Sequence, residues 1–465
     1  MQFGKNELIA AIATPPGDGG IAVIRVSGNG SVALSEKFFH GGINLSNAKS
    51  HTIHYGSFVD LEQNKIDNIV ASVFLKPNSY TGEDVVELSC HGGNFLAKKI
   101  LSILVGSGAR LAKPGEFTFR AFINNKMDLA QAEAVADLIR SNSEKARRAS
   151  LDQLNGRLSA QINLLRKKIL DLCSLIELEL DFAEEGIELL EKNKTINNID
   201  EISASIKKIS DTFTSGKLLR GGVKTVLLGM PNSGKSSLLN VLLKADRAIV
   251  SDVPGTTRDT ISESVHIGGL LFRLIDTAGL RNDAADLVEK EGIKRTLLEI
   301  ESADLLLFLL DSTSKNIYED YKYLTGLVEK TISNKKVVIL INKIDLKSSL
   351  SIDKNKLAPF HLLQKISCKT EEGVEALSTK LEELFVDNIA FEHEDPIIQS
   401  LRHKQALDSA YESCQLAKIS ILNNLSGDFL AVDLRNALDS LGEIVGTTTT
   451  EDILNNIFSQ FCIGK

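Results

Sequence analysis

The sequence predicts an α/β nucleotide-binding domain set between two helical blocks, with a separate α+β region ahead of them. Three observations predict it. Gly229-Met230-Pro231-Asn232-Ser233-Gly234-Lys235-Ser236 has the G-x-x-x-x-G-K-[ST] spacing, between the apolar run Val226-Leu227-Leu228 and the helix-like Ser237-Leu238-Leu239-Asn240-Val241-Leu242-Leu243. Apolar residues at steps of three and four, from Leu151 to Leu180, mark a helical block before that loop. Short strand-like runs broken by Gly and Pro fill residues 1 to about 120. At 465 residues the chain is long enough for about three domains.

In order along the chain, Leu8–Ala13 and Ile21–Val26 read as strands joined by the tight loop Thr14-Pro15-Pro16-Gly17-Asp18-Gly19-Gly20. Val85–Cys90 is a further strand, followed by His91-Gly92-Gly93. His91 beside Cys90 has no second paired spacing of metal ligands, so it reads as a turn histidine. From about residue 123 the period changes: Leu151, Leu154, Leu158, Ile162, Leu165, Ile169, Leu172, Ile176 and Leu180 form one stripe, expected on a single long helix. The adjacent Arg147-Arg148 and Arg166-Lys167-Lys168 read as a solvated face. Another helix is expected up to about Phe213, and Ser215-Gly216 and Gly221-Gly222 read as a hinge. The boundaries expected are 1–122, 123–217, 218–385 and 386–465, the two helical stretches forming one domain into which 218–385 is inserted.

Within 218–385 the phosphate loop aims backbone N–H groups and a helix N-terminus at a polyanion, with Lys235 bridging outer phosphates and the Ser236 hydroxyl suited to magnesium. Asp276-Thr277-Ala278-Gly279 ends the strand Leu270–Ile275, which puts an Asp near the metal and a glycine N–H near the terminal phosphate. Asn342-Lys343-Ile344-Asp345 follows the strand Val337–Ile341. A carboxylate there accepts from the N1–H and 2-amino groups of guanine, a donor pair adenine lacks, and charge-assisted bonds of about 1.5–3 kcal/mol each make the preference for GTP strong. Ser367-Cys368-Lys369 closes the base pocket, with Cys where Ala is usual. Leu280 occupies the position where many small GTPases carry a water-orienting Gln, so hydrolysis needs another arrangement.

Composition narrows the partners. Lysine and arginine number 53 against 61 acidic residues, a net charge of −8, so RNA would be met by local patches rather than a global basic field. The five cysteines, Cys90, Cys173, Cys368, Cys414 and Cys462, lack C-x-x-C spacing and read as reduced thiols. No apolar run approaches a membrane span or a signal peptide, so the expectation is a cytoplasmic protein with no membrane association.

Over essentially its full length the chain resembles the MnmE (TrmE) family of tRNA-modification GTPases. The resemblance rests on Thr14-Pro15-Pro16-Gly17, Thr81-Gly82-Glu83-Asp84, His91-Gly92-Gly93, Lys113-Pro114-Gly115-Glu116-Phe117, Asp128-Leu129-Ala130-Gln131-Ala132-Glu133-Ala134, Gly255-Thr256-Thr257-Arg258-Asp259, Asp276-Thr277-Ala278-Gly279-Leu280-Arg281 and Cys462-Ile463-Gly464-Lys465. It implies an α/β P-loop GTPase domain inserted in an α-helical domain, preceded by an α+β folate-binding-like domain that makes a homodimer. It implies an FAD-dependent MnmG (GidA) partner, in a heterotetramer or larger complex, and tRNA whose wobble uridine gains a carboxymethylaminomethyl or aminomethyl group at C5 from a methylene-tetrahydrofolate carbon.

By motif match the resemblance assigns GTP contacts to Asn232, Ser233, Gly234, Lys235, Ser236, Ser237, Ser251, Asp252, Val253, Pro254, Gly255, Thr256, Thr257 and Asp276–Gly279, besides the base pocket. Ser236 and Thr257 would hold magnesium, and Asn232, Ser251, Val253 and Thr256 potassium. Catalytic roles fall to Lys235, to Glu289, with Glu291 as nearby competitor, and to Cys462, whose thiolate would add to C6 of uracil and activate C5. Arg25, Glu87, Lys126 and Lys465 would line the folate site, a carboxylate pairing with the pterin edge and cations with the glutamyl tail. Two other classes compete: a ribosome-assembly GTPase switch, which would be expected to carry a KH module after the nucleotide domain, and a stand-alone folate enzyme, against which the intact nucleotide motifs argue.

Overall fold

The computed structural model describes residues 7–181, 191–246, 262–276, 298–328, 335–346, 353–357, 360–386 and 396–465. They form two compact units: Met1–Arg140, Leu151–Lys207 and Gln405–Lys465 make the first, Ser141–Ser150 and Lys208–Lys404 the second.

The first unit contains a seven-stranded sheet of β1 (Ile9–Ile12), β2 (Ile21–Ser27), β3 (Phe39–Gly41), β4 (Thr52–Val59), β5 (Lys65–Phe74), β6 (Val85–His91) and β7 (Arg110–Leu111), in the order β3-β4-β5-β6-β2-β1-β7. Side chains alternate between its faces. Ala22, Ile24, Val26, Ala71, Val73, Val86 and Leu88 pack under helices α1 (Ser31–Phe38) and α2 (Asn94–Gly106). The opposite face carries the cross-strand row Ile53, Ser72, Glu87, Arg25. His91 ends β6 and its Nδ1 lies 2.7 Å from Asp67 Oδ1; no cluster of three or more potential metal ligands occurs among the described residues. The loop between β1 and β2 is close to the turn after β6, since a Cβ on Gly92 would sit 1.8 Å from the Gly19 carbonyl oxygen.

Beyond the sheet run α3 (Glu116–Ile123), α4 (Leu129–Arg140), α5 (Glu144–Leu154), α6 (Arg157–Asp181) and α7 (Lys192–Asp211). The stripe from Leu151 to Leu180 is thus on two helices rather than one. Gly156 adopts φ 84, a left-handed conformation that ends α5, and the chain restarts as α6 at Arg157. From there Leu158, Ile162, Leu165, Ile169, Leu172 and Ile176 are buried.

In the second unit, α8 (Phe213–Gly221) contains Ser215-Gly216, so that pair is helix and not hinge. Its glycine serves contact instead: a Cβ on Gly216 would lie 2.0 Å from the Ile398 carbonyl oxygen. The six-stranded sheet comprises β8 (Val223–Gly229), β9 (Ser262–Ile267), β10 (Leu270–Asp276), β11 (Leu305–Asp311), β12 (Lys336–Asn342) and β13 (Leu362–Lys365), ordered β13-β12-β11-β8-β10-β9. Only the edge strand β9 is antiparallel to its neighbour. Leu227, Leu274, Leu307 and Val338 are buried on one face, and Val226, Ile275, Leu306 and Val337 on the other. Burial on both faces explains the unbroken apolar runs in these strands. Helices α9 (Lys235–Asp246), α10 (Ile317–Val328) and α11 (Val374–Val386) follow strands and belong to the same unit. Helices α12 (Leu401–Leu422), α13 (Gly427–Val445) and α14 (Glu451–Ser459) complete the chain, with α13 packed along α6. No described helix is long and apolar enough to cross a membrane.

Candidate active site

Strand β8 is followed by the phosphate loop and α9, at the carboxyl ends of parallel strands where open α/β sheets bind ligands. Two backbone choices shape the loop: Asn232 has φ 62 and Gly234 φ 103. Only glycine fits the second position, since a Cβ there would lie 2.3 Å from Asn342 Nδ2. Lys235 is 8% exposed and its ammonium donates to the carbonyls of Gly229 (2.8 Å) and Met230 (3.2 Å), curling back over the loop. Ser236 and Ser237 are exposed in the first turn of α9. Buried Ser233 Oγ has no hydrogen-bond partner, a polar atom whose cost an incoming acceptor or donor would relieve.

The base pocket closes around Asn342. Its Nδ2 donates to the Ser233 carbonyl (2.9 Å) and its Oδ1 accepts from the Cys368 N–H (3.1 Å), so one buried amide ties the phosphate loop to the Ser367-Cys368-Lys369 turn. The Ser367 hydroxyl donates to Asp345 Oδ1 at 2.7 Å, and Ser367 Oγ in turn accepts from the Thr370 N–H. One oxygen of Asp345 is thereby fixed while its side chain stays accessible, as a guanine-accepting carboxylate requires. Burial pushes the Cys368 thiol up to about 11, too high for a thiolate near neutrality. Lys343 is half-buried and Lys369 exposed. Of the other nucleotide-side residues, Ser251–Thr257, Thr277–Gly279, Glu289 and Glu291 lie outside the described residues, and Asp276 is described only as the end of β10.

A second polar centre lies in the first unit. Arg25 Nε donates to Glu87 Oε1 at 2.8 Å across β2 and β6, and its Nη1 donates to the Gly464 carbonyl at 3.1 Å. The guanidinium sits 5.4 Å from the Tyr80 ring centroid and 5.5 Å from that of Phe117. The chain's last residues reach it because α14 is anchored by fully buried Phe458, packed on Phe119, Phe122 and Phe461. Gly464 can lie on β1 only as glycine, since a Cβ would be 2.5 Å from the Ile12 carbonyl oxygen. Burial, and then the nearby Arg25, hold the Lys465 ammonium below the usual lysine range. Cys462 is exposed and its carbonyl accepts from Gly115 N–H at 3.4 Å. Lys126 bonds elsewhere: its exposed ammonium donates to the Pro77 carbonyl at 3.1 Å, on the loop that carries Tyr80.

Tyr80 and Phe117 were not singled out from the sequence, although Phe117 closes the Lys113–Phe117 motif and Tyr80 precedes Thr81-Gly82. Aromatic residues beside a glycine turn carry no signal of what they will stack on, because the partner is 55 or more positions away.

The model of the MnmE helical domain matches residues 129–462, and that of the GTP-binding protein TrmE N-terminus matches residues 8–126. The tRNA modification GTPase MnmE of Clostridioides difficile (strain 630) is 42% identical over 463 residues, 99% of each chain. The proteins of that name from Syntrophotalea carbinolica and Salinibacter ruber are each 43% identical, over 99% and 100% of this chain and 100% of their own length. With matches of this identity over essentially the whole length of the relatives, and family models covering residues 8–126 and 129–462, the chain belongs to the MnmE family of tRNA modification GTPases.

Proposed function

We propose that this chain is a potassium-activated GTPase which, with an FAD-dependent MnmG (GidA)-type partner, modifies C5 of the wobble uridine of certain tRNAs using a methylene-tetrahydrofolate carbon. GTP hydrolysis and a part in tRNA modification come with the family. The observation that carries the nucleotide assignment is the Asn342 amide, which joins phosphate loop and base pocket into one site. In that site the N–H groups at the start of α9 and the Lys235 ammonium meet the phosphates, and Asp345 reads the base.

The residues present fit the groups expected there. The close approach at Gly234 and the unpartnered Ser233 hydroxyl suit a phosphate cradle, and the exposed Ser236 hydroxyl can ligate magnesium together with Thr257. Magnesium and potassium would supply positive charge for the phosphoryl oxygens, potassium through Asn232, Thr256 and the carbonyls of Ser251 and Val253. Glu289 is assigned to orient the water in place of the missing Gln.

For the one-carbon step, the proximity of Arg25, Glu87 and Lys465 supports a site with both an acceptor for an amino-pyrimidinone edge and cations for carboxylates. Lys126 would join from the Pro77 loop. In this reading 1–122 is the dimerising, folate-binding region, 123–217 and 386–465 the helical domain and 218–385 the GTPase domain. A homodimer is favoured by the face that bears Arg25 and Glu87, where Ile21, Ile53 and Tyr55 are 66%, 71% and 70% exposed. Nucleoside analysis of bulk tRNA from cells lacking the protein tests the proposal. A missing C5-modified wobble uridine is expected, and an unchanged nucleoside profile would refute it.

A further inference from the structure

Strand β11 ends at Asp311, which no nucleotide motif includes. Register pairs it with Asn342 at the end of β12. Three bonds then cross from the Asp311-Ser312-Thr313 turn to the adjacent Asn342-Lys343: Ser312 N–H donates to the Asn342 carbonyl (3.0 Å), Ser312 Oγ donates to the Lys343 carbonyl (2.9 Å), and the Lys343 ammonium donates to Asp311 Oδ2 at 2.6 Å. The remaining oxygen of Asp311 accepts from Thr313 N–H (2.9 Å) and Thr313 Oγ1 (2.7 Å), so the carboxylate cannot rotate without losing partners. Lys343 has φ 65, a left-handed backbone that lysine rarely adopts and that needs outside support. Two residues later the chain presents Asp345, whose Oδ1 is held by Ser367.

We propose that the Asp311-Ser312-Thr313 turn is the positioning element of the guanine pocket: by gripping Lys343 at both ammonium and carbonyl it sets the backbone turn that aims Asp345 at the base, and so contributes to the choice of guanine. Burial alone would raise the Asp311 carboxyl, but the bonds from Lys343 and Thr313 outweigh it and hold it below the usual range, so the ion pair persists at neutral pH.

The test compares GDP with inosine diphosphate, which differs only in lacking the 2-amino group. The ratio of their affinities reports the aim of Asp345, whereas loss of folded protein lowers both alike. In the full chain, Asp311→Asn should weaken GDP binding about tenfold, the worth of one charge-assisted bond, and reduce the GDP-to-inosine diphosphate ratio at least about threefold. Ser312→Ala, a milder change because the Lys343 carbonyl also accepts from Leu346 N–H at 3.0 Å, should shift the ratio in the same direction and decides the matter if Asp311→Asn does not fold. An unchanged ratio in the folded variants, whatever happens to melting temperature, would overturn the proposal.

Discussion

At the scale of single residues, the proposed base selection rests on the carboxylate of Asp345, held through one oxygen by Ser367. Asp345→Asn should weaken GTP and relax discrimination toward xanthosine nucleotides, whose 2-oxo group takes a donor; equal affinities of the unaltered protein for ATP and GTP would sink the assignment. Asn232 is exposed at φ 62 within the phosphate loop, so its amide is available to a cation beside the phosphates. GTP hydrolysis should therefore run much faster in potassium than in sodium salts, Asn232→Ala should erase the difference, and Glu289→Ala should slow turnover by about 10²-fold with little change in GTP affinity. Equal rates in the two salts would show that the potassium assignment is wrong. The phosphate loop could be read from the sequence because backbone-dominated phosphate binding demands Gly and Lys at fixed spacing, and Asp345 because it closes Asn342-Lys343-Ile344-Asp345 after a strand, whereas Glu289 rests on the family resemblance. Asp311 could not: its partner Lys343 is 32 positions on, and only the pairing of β11 with β12 brings them together.

At the scale of elements, the polar core that fixes α3 is open to test through pH. Fully buried Glu116 accepts from Arg110 Nη2 (2.6 Å), Arg120 Nη2 (3.1 Å) and Lys113 N–H (2.8 Å), while Arg120 also meets Glu83. Burial by itself would raise the Glu116 carboxyl, but the bonds from Arg110 and Lys113 prevail and hold it low. The folded state therefore binds this proton more weakly than the unfolded chain. Its contribution is complete above the unfolded value of about 4.3 and is lost as pH falls through the depressed folded value. Glu116→Gln should cost on the order of 3 kcal/mol at neutral pH and flatten the acid side of the stability curve, measured by urea unfolding at several pH values. Unchanged stability at both neutral and acid pH would remove α3 from Glu116's control. Elements were legible where burial is one-sided or repeated. The α5–α6 break at Gly156 was not, because an isolated glycine in a helical pattern can also be tolerated, at a cost of about 1 kcal/mol, and Ser215-Gly216 reads as a hinge because contact with Ile398 cannot be seen in sequence.

At the scale of the whole molecule, the two proposed sites fall in different compact units: the candidate guanine pocket in the second, the Arg25–Glu87 centre with the C-terminal residues in the first. Deleting Cys462–Lys465 removes the carbonyl that Arg25 bonds and the carbonyl that Gly115 bonds, along with the Lys465 ammonium. It leaves Phe458, and with it the anchor of α14, in place. The truncated protein should therefore lose tRNA modification while GTP hydrolysis stays within about twofold, since the deleted residues and the phosphate loop belong to different compact units. Phe458→Ala should reach the same functional end by another route, at a stability cost of about 3–5 kcal/mol, because the whole terminal helix loses its aromatic seat. The pair of variants separates two meanings of the docked tail. If the tail only braces the fold, the stability loss in Phe458→Ala should govern activity and the short deletion should be benign; if the last four residues complete the one-carbon site, the deletion should abolish modification at nearly full stability. Full modification activity of the truncated protein would break the link between the C-terminal motif and the Arg25–Glu87 centre.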